Sequence, residues 1–292
     1  MASPREIRRR IRSVKNIAKV TKAMETVAAA KMRKAQQQVL ATRPFATKSW
    51  QVLTHLARLG KTDANEHPLL VQRPIERIGL LLITGDRGLA GAYNSNVLRL
   101  AAQQIHAWET AEQKKVELVT VGRKGRDWML RYGPPLRAEF SKIGDRPNSN
   151  AIAPIASILI EDFTSGRFDA VYLAYTEFHN TLKQEPVIRQ LLPITPAENA
   201  AHVASDYIFE PDPRTILGEV LRGLTELQIL QSIYESIASE ESARMVAMRN
   251  ATESANELMD ALTLTYNKAR QDAITRELLD IVGGSSALAA AA

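Results

Sequence analysis

The sequence predicts an α/β protein with a long antiparallel α-helical coiled coil formed by its two ends. Residues 5–43 and 224–282 contain neither glycine nor proline, which indicates long helices at both ends of the 292-residue chain. Between these runs, short apolar segments alternate with helical stretches, as is typical of a mostly parallel sheet. We therefore expect the N- and C-terminal helices to form a rod that is joined to a central α/β domain.

The C-terminal run, residues 224–282, is 59 residues long. At about 1.5 Å of rise per residue, one unbroken helix of this length would span roughly 90 Å, well beyond the diameter of a small domain. It must therefore be covered by a second helix or by other chains. Seam candidates follow three- and four-residue steps, as a coiled coil requires: Leu217, Leu221, Leu224, Leu227 or Gln228, Leu230 or Gln231, Tyr234, Ala251, Ala255, Leu258 or Met259, and Leu262.

The N-terminal run is the expected partner of this helix. Apolar residues recur along it at helical spacing: Ile7, Ile11, Val14, Ile17, Val20, Met24 and Val27. Residues 1–43 carry twelve Lys and Arg against two Glu, a net charge of +10, whereas residues 224–282 carry five against ten, a net charge of −5. Opposite charges favour the association of two helices and set its orientation more than its strength.

The middle of the chain predicts strands separated by helices. We predict strands at 78–84, 116–121, 170–175 and 185–192, with helices at 94–110 and 151–164. Such an order is Rossmann-like. Proline-containing links on both sides divide the chain into an N-terminal coiled-coil helix (1–60), a central α/β domain with flanking linkers (61–210), and a C-terminal coiled-coil helix with a tail (211–292).

The composition excludes several classes of protein. The chain has no cysteine, so disulfides, thiolate metal sites and thiol switches are excluded. No apolar stretch reaches the roughly 18–20 residues that a membrane-spanning helix needs. The basic start lacks the apolar core of a secretory signal, although its arginine-rich, acid-poor character is also that of an organellar transit peptide.

A glycine-rich turn follows the first predicted strand. Gly85, Gly88 and Gly91 could cradle a phosphate on backbone N–H groups at the start of a helix. Their spacing differs from the dinucleotide-binding pattern, however, and Asp86 would place a carboxylate where the phosphate should lie. A tight strand-to-helix turn is the favoured interpretation, while a nucleotide-binding enzyme with a helical dimerisation arm remains an alternative.

No catalytic, cofactor-binding or metal-ligating residue is predicted, because the five histidines lack metal-ligand spacing and no nucleophile can be argued. The basic N-terminal helix could contact nucleic acid, an anionic membrane or an acidic protein. Residues 1–43 contain no aromatic side chain, which weighs against base recognition and against insertion into a membrane surface. Docking against acidic protein surfaces is favoured, and a nucleic-acid-binding coiled coil is the remaining alternative.

Four stretches together resemble the gamma subunit of F-type ATP synthases. They read VTKAMETVAAAKM at 20–32, DRGLAGAYN at 86–94, EESARMVAM at 240–248 and YNKARQDAITRE at 266–277. The resemblance covers essentially the whole chain in the expected order. It implies a non-catalytic central rotor shaft that turns inside a ring of alternating alpha and beta subunits and couples proton flow through a membrane c ring to ATP synthesis, or the reverse.

The resemblance also implies residue roles. In the family, the stretch around Met24 faces an acidic lever loop of beta, and the residues matching Arg270 and Gln271 bond a loop of one beta subunit. The full set of expected beta contacts is Arg9, Arg10, Lys22, Met24, Arg270, Gln271, Thr275 and Glu277. Tyr207 and Glu210 match the foot segment that meets the c ring, and residues 285–292 match the tip of the shaft.

The implied partners are the alpha and beta subunits, the epsilon subunit and the c ring, with no nucleic acid and only indirect membrane contact. The implied location is the cytoplasmic side of a bacterial cell membrane, as a peripheral subunit. Chloroplast members carry regulatory cysteines in an extra segment, and this chain has no cysteine and no obvious room for that segment. A bacterial enzyme is therefore expected rather than a plastid one.

Overall fold

The computed structural model describes residues 3–59, 67–194 and 213–291, and side chains within these ranges except at 43, 46–47, 49–59, 213–215 and 283–291. The helices are α1 (Pro4–Leu59), α2 (Tyr93–His106), α3 (Arg123–Tyr132), α4 (Ser149–Thr164) and α5 (Pro213–Ala291), with a π-helical turn at Ala107–Ala111. The strands are β1 (Arg77–Ile83), β2 (Lys115–Val121), β3 (Leu136–Phe140), β4 (Ala170–Phe178) and β5 (Gln184–Leu192).

The chain divides into two compact units. The larger unit is Ala28–Arg244, and the smaller unit combines Met1–Val27 with Met245–Ala292. Both α1 and α5 therefore contribute residues to both units. The predicted domains 1–60, 61–210 and 211–292 stay a prediction.

The sheet of the larger unit has the strand order β3-β2-β1-β4-β5. Strand β1 is parallel to both of its neighbours, β3 is parallel to β2, and β5 is antiparallel to β4. This is a doubly wound, Rossmann-like sheet with one antiparallel edge. The predicted α/β class with long terminal helices is confirmed, and each predicted strand is present with its bounds shifted by at most three residues.

Sequence reasoning missed α3 and β3. Helix α3 has only ten residues, half of them charged, and buries Gly125 and Met129. Strand β3 has five residues at the edge of the sheet, and none of them is fully buried. Neither element therefore carries the strong apolar pattern on which strand and helix prediction depends.

Alternation along β1 separates two apolar cores. Ile78, Leu80 and Leu82 face one side of the sheet, where they pack with residues of α2 such as Val97. Leu81 and Ile83 face the other side, where α4 and α5 cover them. Because both faces are covered, β1 is a nearly continuous apolar run, as expected of a central parallel strand.

Helix α5 is a central element of the larger unit. Its residues Leu221, Leu224, Ile229 and Ile233 belong to the core on the α4 side of the sheet. Further along, three serines contact the end of β4 and the following hairpin. Ser239 Oγ donates to the Thr176 carbonyl (3.2 Å), Ser242 Oγ donates to the Thr181 carbonyl (3.1 Å), and Ser236 Oγ accepts from the Thr176 N–H (3.4 Å).

In the smaller unit, α1 and α5 pair through a seam of mainly apolar side chains, with small residues near its middle. The buried or half-buried residues include Ile7, Ile11, Val14, Ala18, Thr21 and Glu25 on α1, and Met248, Thr252, Ala255, Met259, Leu262 and Tyr266 on α5. Steps of three and four residues are regular on both helices, as in a coiled coil.

The structure corrects the predicted seam of α1 beyond Val14. The larger apolar residues predicted there are more than half exposed: Ile17 (52%), Val20 (58%) and Val27 (55%). The next residue is buried in each case: Ala18, Thr21 and Ala28. Small side chains allow two helix backbones to approach closely. The small residues are therefore buried, and the larger apolar residues beside them are exposed. On α5, Met259 lies in the seam and Leu258 is exposed.

Two predictions fall outside the described part of the chain. Tyr207 and Glu210, expected to meet the c ring, lie in the range 195–212, which is not described. The side chains of the expected shaft tip at 285–292 are likewise not described. Both assignments stay predictions.

Asp169 joins the starts of β1 and β4. Its buried carboxylate accepts hydrogen bonds from the backbone N–H groups of Glu76 (3.2 Å) and Arg77 (2.9 Å). It also forms an ion pair with the Arg77 guanidinium (3.0 Å). Burial alone would raise the pKa of Asp169, but these hydrogen bonds hold the pKa below its ordinary value. Because the pKa is lower in the folded state, the stabilisation is present above the pKa of an unfolded Asp and is lost as pH falls through the folded pKa.

We expect Asp169→Ala to lower the free energy of unfolding by about 2 kcal/mol at neutral pH, since it removes the shared acceptor of two backbone N–H groups and of the Arg77 guanidinium. The measurement is urea unfolding followed by tryptophan fluorescence, and the gap between wild type and variant should close as the pH falls below about 4. Asp127→Ala is the control, because Asp127 is exposed and pairs mainly with its neighbour Arg126. Equal effects of the two substitutions at neutral pH would contradict this role of Asp169.

Candidate interaction surfaces

A doubly wound sheet has one crevice in which ligands characteristically bind. In such sheets the crevice lies outside the carboxyl ends of the strands, where the chain reverses its winding. Here that point lies between β1 and β4, and the turn from Gly85 to Gly91 follows β1 directly. The Gly85 N–H donates to the Asn94 side-chain oxygen (2.9 Å), which ties the turn to the first turn of α2.

Helix α5 fills this crevice. A Cβ atom on Gly85 would lie 2.7 Å from Glu240 Oε1, so glycine is what lets the helix approach the turn. Arg244 Nη2 donates to the Gly88 carbonyl on the same turn (3.5 Å). A buried carboxylate therefore stands against the turn where a phosphate would have to bind, and this arrangement favours the interpretation as a tight packing turn.

Asp86, in the same turn, contacts the start of α3. Its two carboxylate oxygens accept the backbone N–H groups of Arg123 (3.0 Å) and Lys142 (2.9 Å). Helix α3 has no side-chain cap of its own at Gly122. Asp86 therefore supplies the negative charge that a helix N-terminus favours, from a distant position in the sequence.

A compact charge cluster anchors α5 beside the turn. Arg244 pairs with Glu240 and with Glu241 (2.6 Å to the latter), and all three side chains are at least four-fifths covered. Burial raises the pKa of Glu240 although Arg244 opposes the shift, and burial also raises the pKa of the nearby Tyr93 hydroxyl. These shifts follow from packing and do not by themselves indicate a reaction.

The smaller unit carries the residues that the resemblance assigns to beta contacts on α1. Arg9, Arg10 and Lys22 are exposed and Met24 is half-buried. Arg10 pairs with Glu6 (3.3 Å) and Lys22 pairs with Glu25 (2.9 Å), both within the same helix. Exposed pairs of this kind are weak and leave these cations available to a partner.

Two exposed stripes run along α1 beside its seam. One is a cationic stripe at alternating three- and four-residue steps: Arg5, Arg8, Arg12, Lys15, Lys19 and Lys22. The other is an apolar stripe that comprises Ile17, Val20, Met24 and Val27. Sequence reasoning named only part of the cationic stripe, although its coiled-coil spacing was a readable signal. It placed the apolar stripe in the seam, whereas the structure leaves most of it open to solvent.

On α5, the expected beta contacts also lie at the surface. Arg270, Gln271, Thr275 and Glu277 are all exposed, and Gln271 and Thr275 are four residues apart and so share one face of the helix. Exposed apolar side chains surround them: Leu264 (73%), Ile274, Leu278, Leu279 and Ile281. Isolated exposed leucines are common, but a dense run of them on one helix indicates a surface that another protein covers.

No group of His, Cys, Asp and Glu within the described residues could hold a metal ion. Across the same ranges, no helix combines the length and apolar character that crossing a membrane requires. Within the larger unit, the shifted pKa values of Asp169 and Glu240 follow from hydrogen bonds, ion pairs and burial.

Comparison with known proteins decides the family. A family model described as ATP synthase matches residues 3–288. The ATP synthase gamma chain of Dehalococcoides mccartyi strain CBDB1 is 49% identical over 290 residues, which cover 99% of this chain and 100% of that protein. The chain belongs to the ATP synthase gamma chain family. Gamma chains of Herpetosiphon aurantiacus and Chloroflexus aurantiacus are 48% and 47% identical, each across 99% of both chains.

Solved structures share the fold. A chain of the Euglena gracilis mitochondrial ATP synthase, in a structure of OSCP, F1 and c ring, has a TM-score of 0.67 at 21% identity, with 98% of this chain and 94% of that chain covered. A chain from the central stalk and c ring of the Tetrahymena thermophila enzyme has a TM-score of 0.61 at 25% identity, with 80% and 99% covered. The resemblance carried by the four motifs is thus confirmed at the level of the family.

The charge cluster on α5 yields a test of its anchoring role. We expect Glu240→Ala to lower the free energy of unfolding of the larger unit by about 2 kcal/mol, because Arg244 keeps only one of its two buried partners. Urea unfolding followed by tryptophan fluorescence measures this, since Trp108 and Trp128 lie in the larger unit.

Glu253→Ala is the matched control for that substitution. Glu253 forms an i,i+4 pair with Arg249 on the same helix at 3.8 Å, but both side chains are about two-thirds exposed. We expect little change, as is usual for an exposed pair. If the two alanine variants unfold at the same urea concentration, the buried cluster does not anchor α5.

Proposed function

We propose that this chain is the central rotor shaft of a rotary ATP synthase. It couples proton flow through a membrane c ring to ATP synthesis, or the reverse, and is itself non-catalytic. The observation that carries the proposal is the exposed surface of the paired helices in the smaller unit. Long helices with open apolar and cationic stripes require partners, and the family supplies a ring of alpha and beta subunits around them.

A shaft of this kind acts by differential contact. Its two helices differ in charge and in side chains around their circumference, so identical neighbours arranged around them meet different surfaces. A contact that is more favourable for one conformation of a neighbour shifts its population toward that conformation. Turning the shaft then moves each neighbour through the same series of states, with nucleotide chemistry on the beta subunits.

The structure of the larger unit supports a non-catalytic role. In the crevice at the carboxyl ends of β1 and β4, Glu240 and Arg244 of α5 lie against the glycine turn. A nucleotide-binding enzyme would need that space and those backbone N–H groups for phosphate. Calorimetry of the full chain with ATP, ADP and NAD distinguishes the two functions, since the rotor role requires no tight binding of any of them.

The proposed beta contacts use fixed positive charge and a flexible apolar group. Arg9, Arg10 and Lys22 would face acidic loops, together with Met24 of the apolar stripe. Arg270 with Gln271 would bond a loop of one beta subunit, for which a planar guanidinium of fixed charge is well suited. Thr275 and Glu277 would extend that contact by a further turn.

The remaining partners are assigned by family membership. Tyr207 and Glu210 would meet the c ring, and the epsilon subunit would bind the α/β domain. The chain would then lie at the cytoplasmic side of a bacterial membrane and contact the membrane only through the c ring. Purification of the complex tests the assembly, because the rotor role requires one copy of this chain for every three alpha and three beta subunits.

Met24→Lys provides a test of coupling. We expect the assembled variant to retain ATP hydrolysis but to lose most proton pumping per ATP hydrolysed, because the new ammonium binds an acidic loop too tightly for smooth rotation. Hydrolysis and pumping are measured on the same membrane vesicles.

Ala23→Lys is the control for position, since Ala23 is exposed and lies about 100° around the helix from Met24. It should leave the ratio of pumping to hydrolysis near that of the wild type. Equal pumping efficiency in wild type and Met24→Lys would count against the proposed contact.

A further inference from the structure

A pair of threonine hydroxyls bridges α1 and α5 in the smaller unit. Thr21 Oγ1 and Thr252 Oγ1 lie 2.7 Å apart, within hydrogen-bonding distance. Thr21 is 9% exposed and Thr252 is half-buried. On one side of the pair, the next seam residues are Ala18 on α1 and Ala255 on α5, and on the other side they are Glu25 and Met248.

The hydroxyl protons make this bridge directional. Thr21 Oγ1 also lies 3.1 Å from the Ala18 carbonyl, and Thr252 Oγ1 lies 2.8 Å from the Met248 carbonyl. Two protons thus serve three close oxygen pairs, because each hydroxyl has one proton to donate. The shorter contacts are satisfied if Thr21 donates to Thr252 and Thr252 donates to Met248, which links the backbone of α5 to the side chain of α1.

The alanines beside the threonine pair contribute little to fixing how far one helix slides along the other, and larger seam residues such as Ile11 and Leu262 lie farther away. A large side chain locks into one hole of the facing helix, whereas alanines present a smooth ridge that fits in several positions. A single polar residue in an apolar seam is a known device for fixing the register of paired helices, because any slip leaves a buried polar group without its partner.

We propose that the Thr21–Thr252 hydroxyl bridge sets the axial register of α1 against α5. Thr21 is three residues before Met24, and Thr252 is 18 residues before Arg270 on the opposite helix. The register therefore fixes the relative heights of the two groups proposed to touch beta subunits. Both threonines are positioning residues in this inference, and its consequence for coupling rests on the proposed function.

The test measures register directly. The chain has no cysteine, so cysteines introduced at the exposed Ser13 and Leu264 can be spin-labelled specifically before the full chain is assembled with the other subunits. Distances between the labels are then measured in the full chain alone and in the complex. We expect one narrow distance distribution for the wild type.

Thr21→Val keeps the size of the side chain and removes the hydroxyl. We expect its distance distribution to broaden or to gain a second population, displaced by at most the roughly 5 Å of one helical turn. Thr21→Ser should restore the single distribution, because it restores the hydroxyl. Thr26→Val is the matched control on the same helix, since the Thr26 hydroxyl bonds only the Lys22 carbonyl of its own helix.

The double variant Thr21→Val/Thr252→Val separates register from stability. With both hydroxyls gone, no buried polar group is left unpaired, so the helices should remain paired while the register stays broad. This variant also keeps the inference testable if Thr21→Val alone fails to fold. A single narrow distribution in the Val variants, or an equal broadening in Thr26→Val, would overturn the proposal.

Proton pumping separates this inference from the rotor role. A broadened register with reduced pumping per ATP supports both. A broadened register with unchanged pumping supports the hydroxyl bridge and counts against the link to coupling. An unchanged register overturns the bridge whatever the activity of the complex.

Discussion

The burial of one helix in two different surroundings is the constraint on which the structure depends. Helix α5 gives Leu221, Leu224, Ile229 and Ile233 to the core of the larger unit, and its later residues to the seam with α1. Burial of apolar surface is the main favourable contribution to folding, so the first part of α5 is held by the sheet. That attachment frees its later part to expose side chains that an independent protein would cover.

The packing of α5 against the sheet also explains why the crevice of the sheet is occupied. A Rossmann-like sheet normally offers its crevice to a nucleotide, but here Glu240 and Arg244 lie against the glycine turn. Glycine at position 85 then serves close packing between chain segments. The same fold can thus hold a helix where relatives in other families hold a phosphate, which is why function must be argued from the residues of the crevice.

The sequence carried the class of fold and the existence of the long helices, because runs without glycine or proline and apolar strands such as 78–83 are strong signals. Prediction from the sequence failed where a small residue and a large apolar residue were both candidates for the same place in the helix seam. Ile17 and Val20 looked like seam residues, yet Ala18 and Thr21 permit closer helix approach and are the buried ones. It also failed for β3, which is short and has no fully buried residue, and for the cap that Asp86 gives to α3, a contact between residues 37 positions apart. Motif resemblance, and not periodicity, carried the assignment of partners.

The serines of α5 beside β4 have a mechanical consequence. Apolar contacts are non-directional, whereas the Ser239 and Ser242 hydroxyls bond particular carbonyls and so add directional contacts to the packing of α5. These hydrogen bonds favour one rotation of the helix about its own axis within the larger unit. Turning α5 about its axis within the larger unit would therefore have to break these hydrogen bonds as well as the apolar packing.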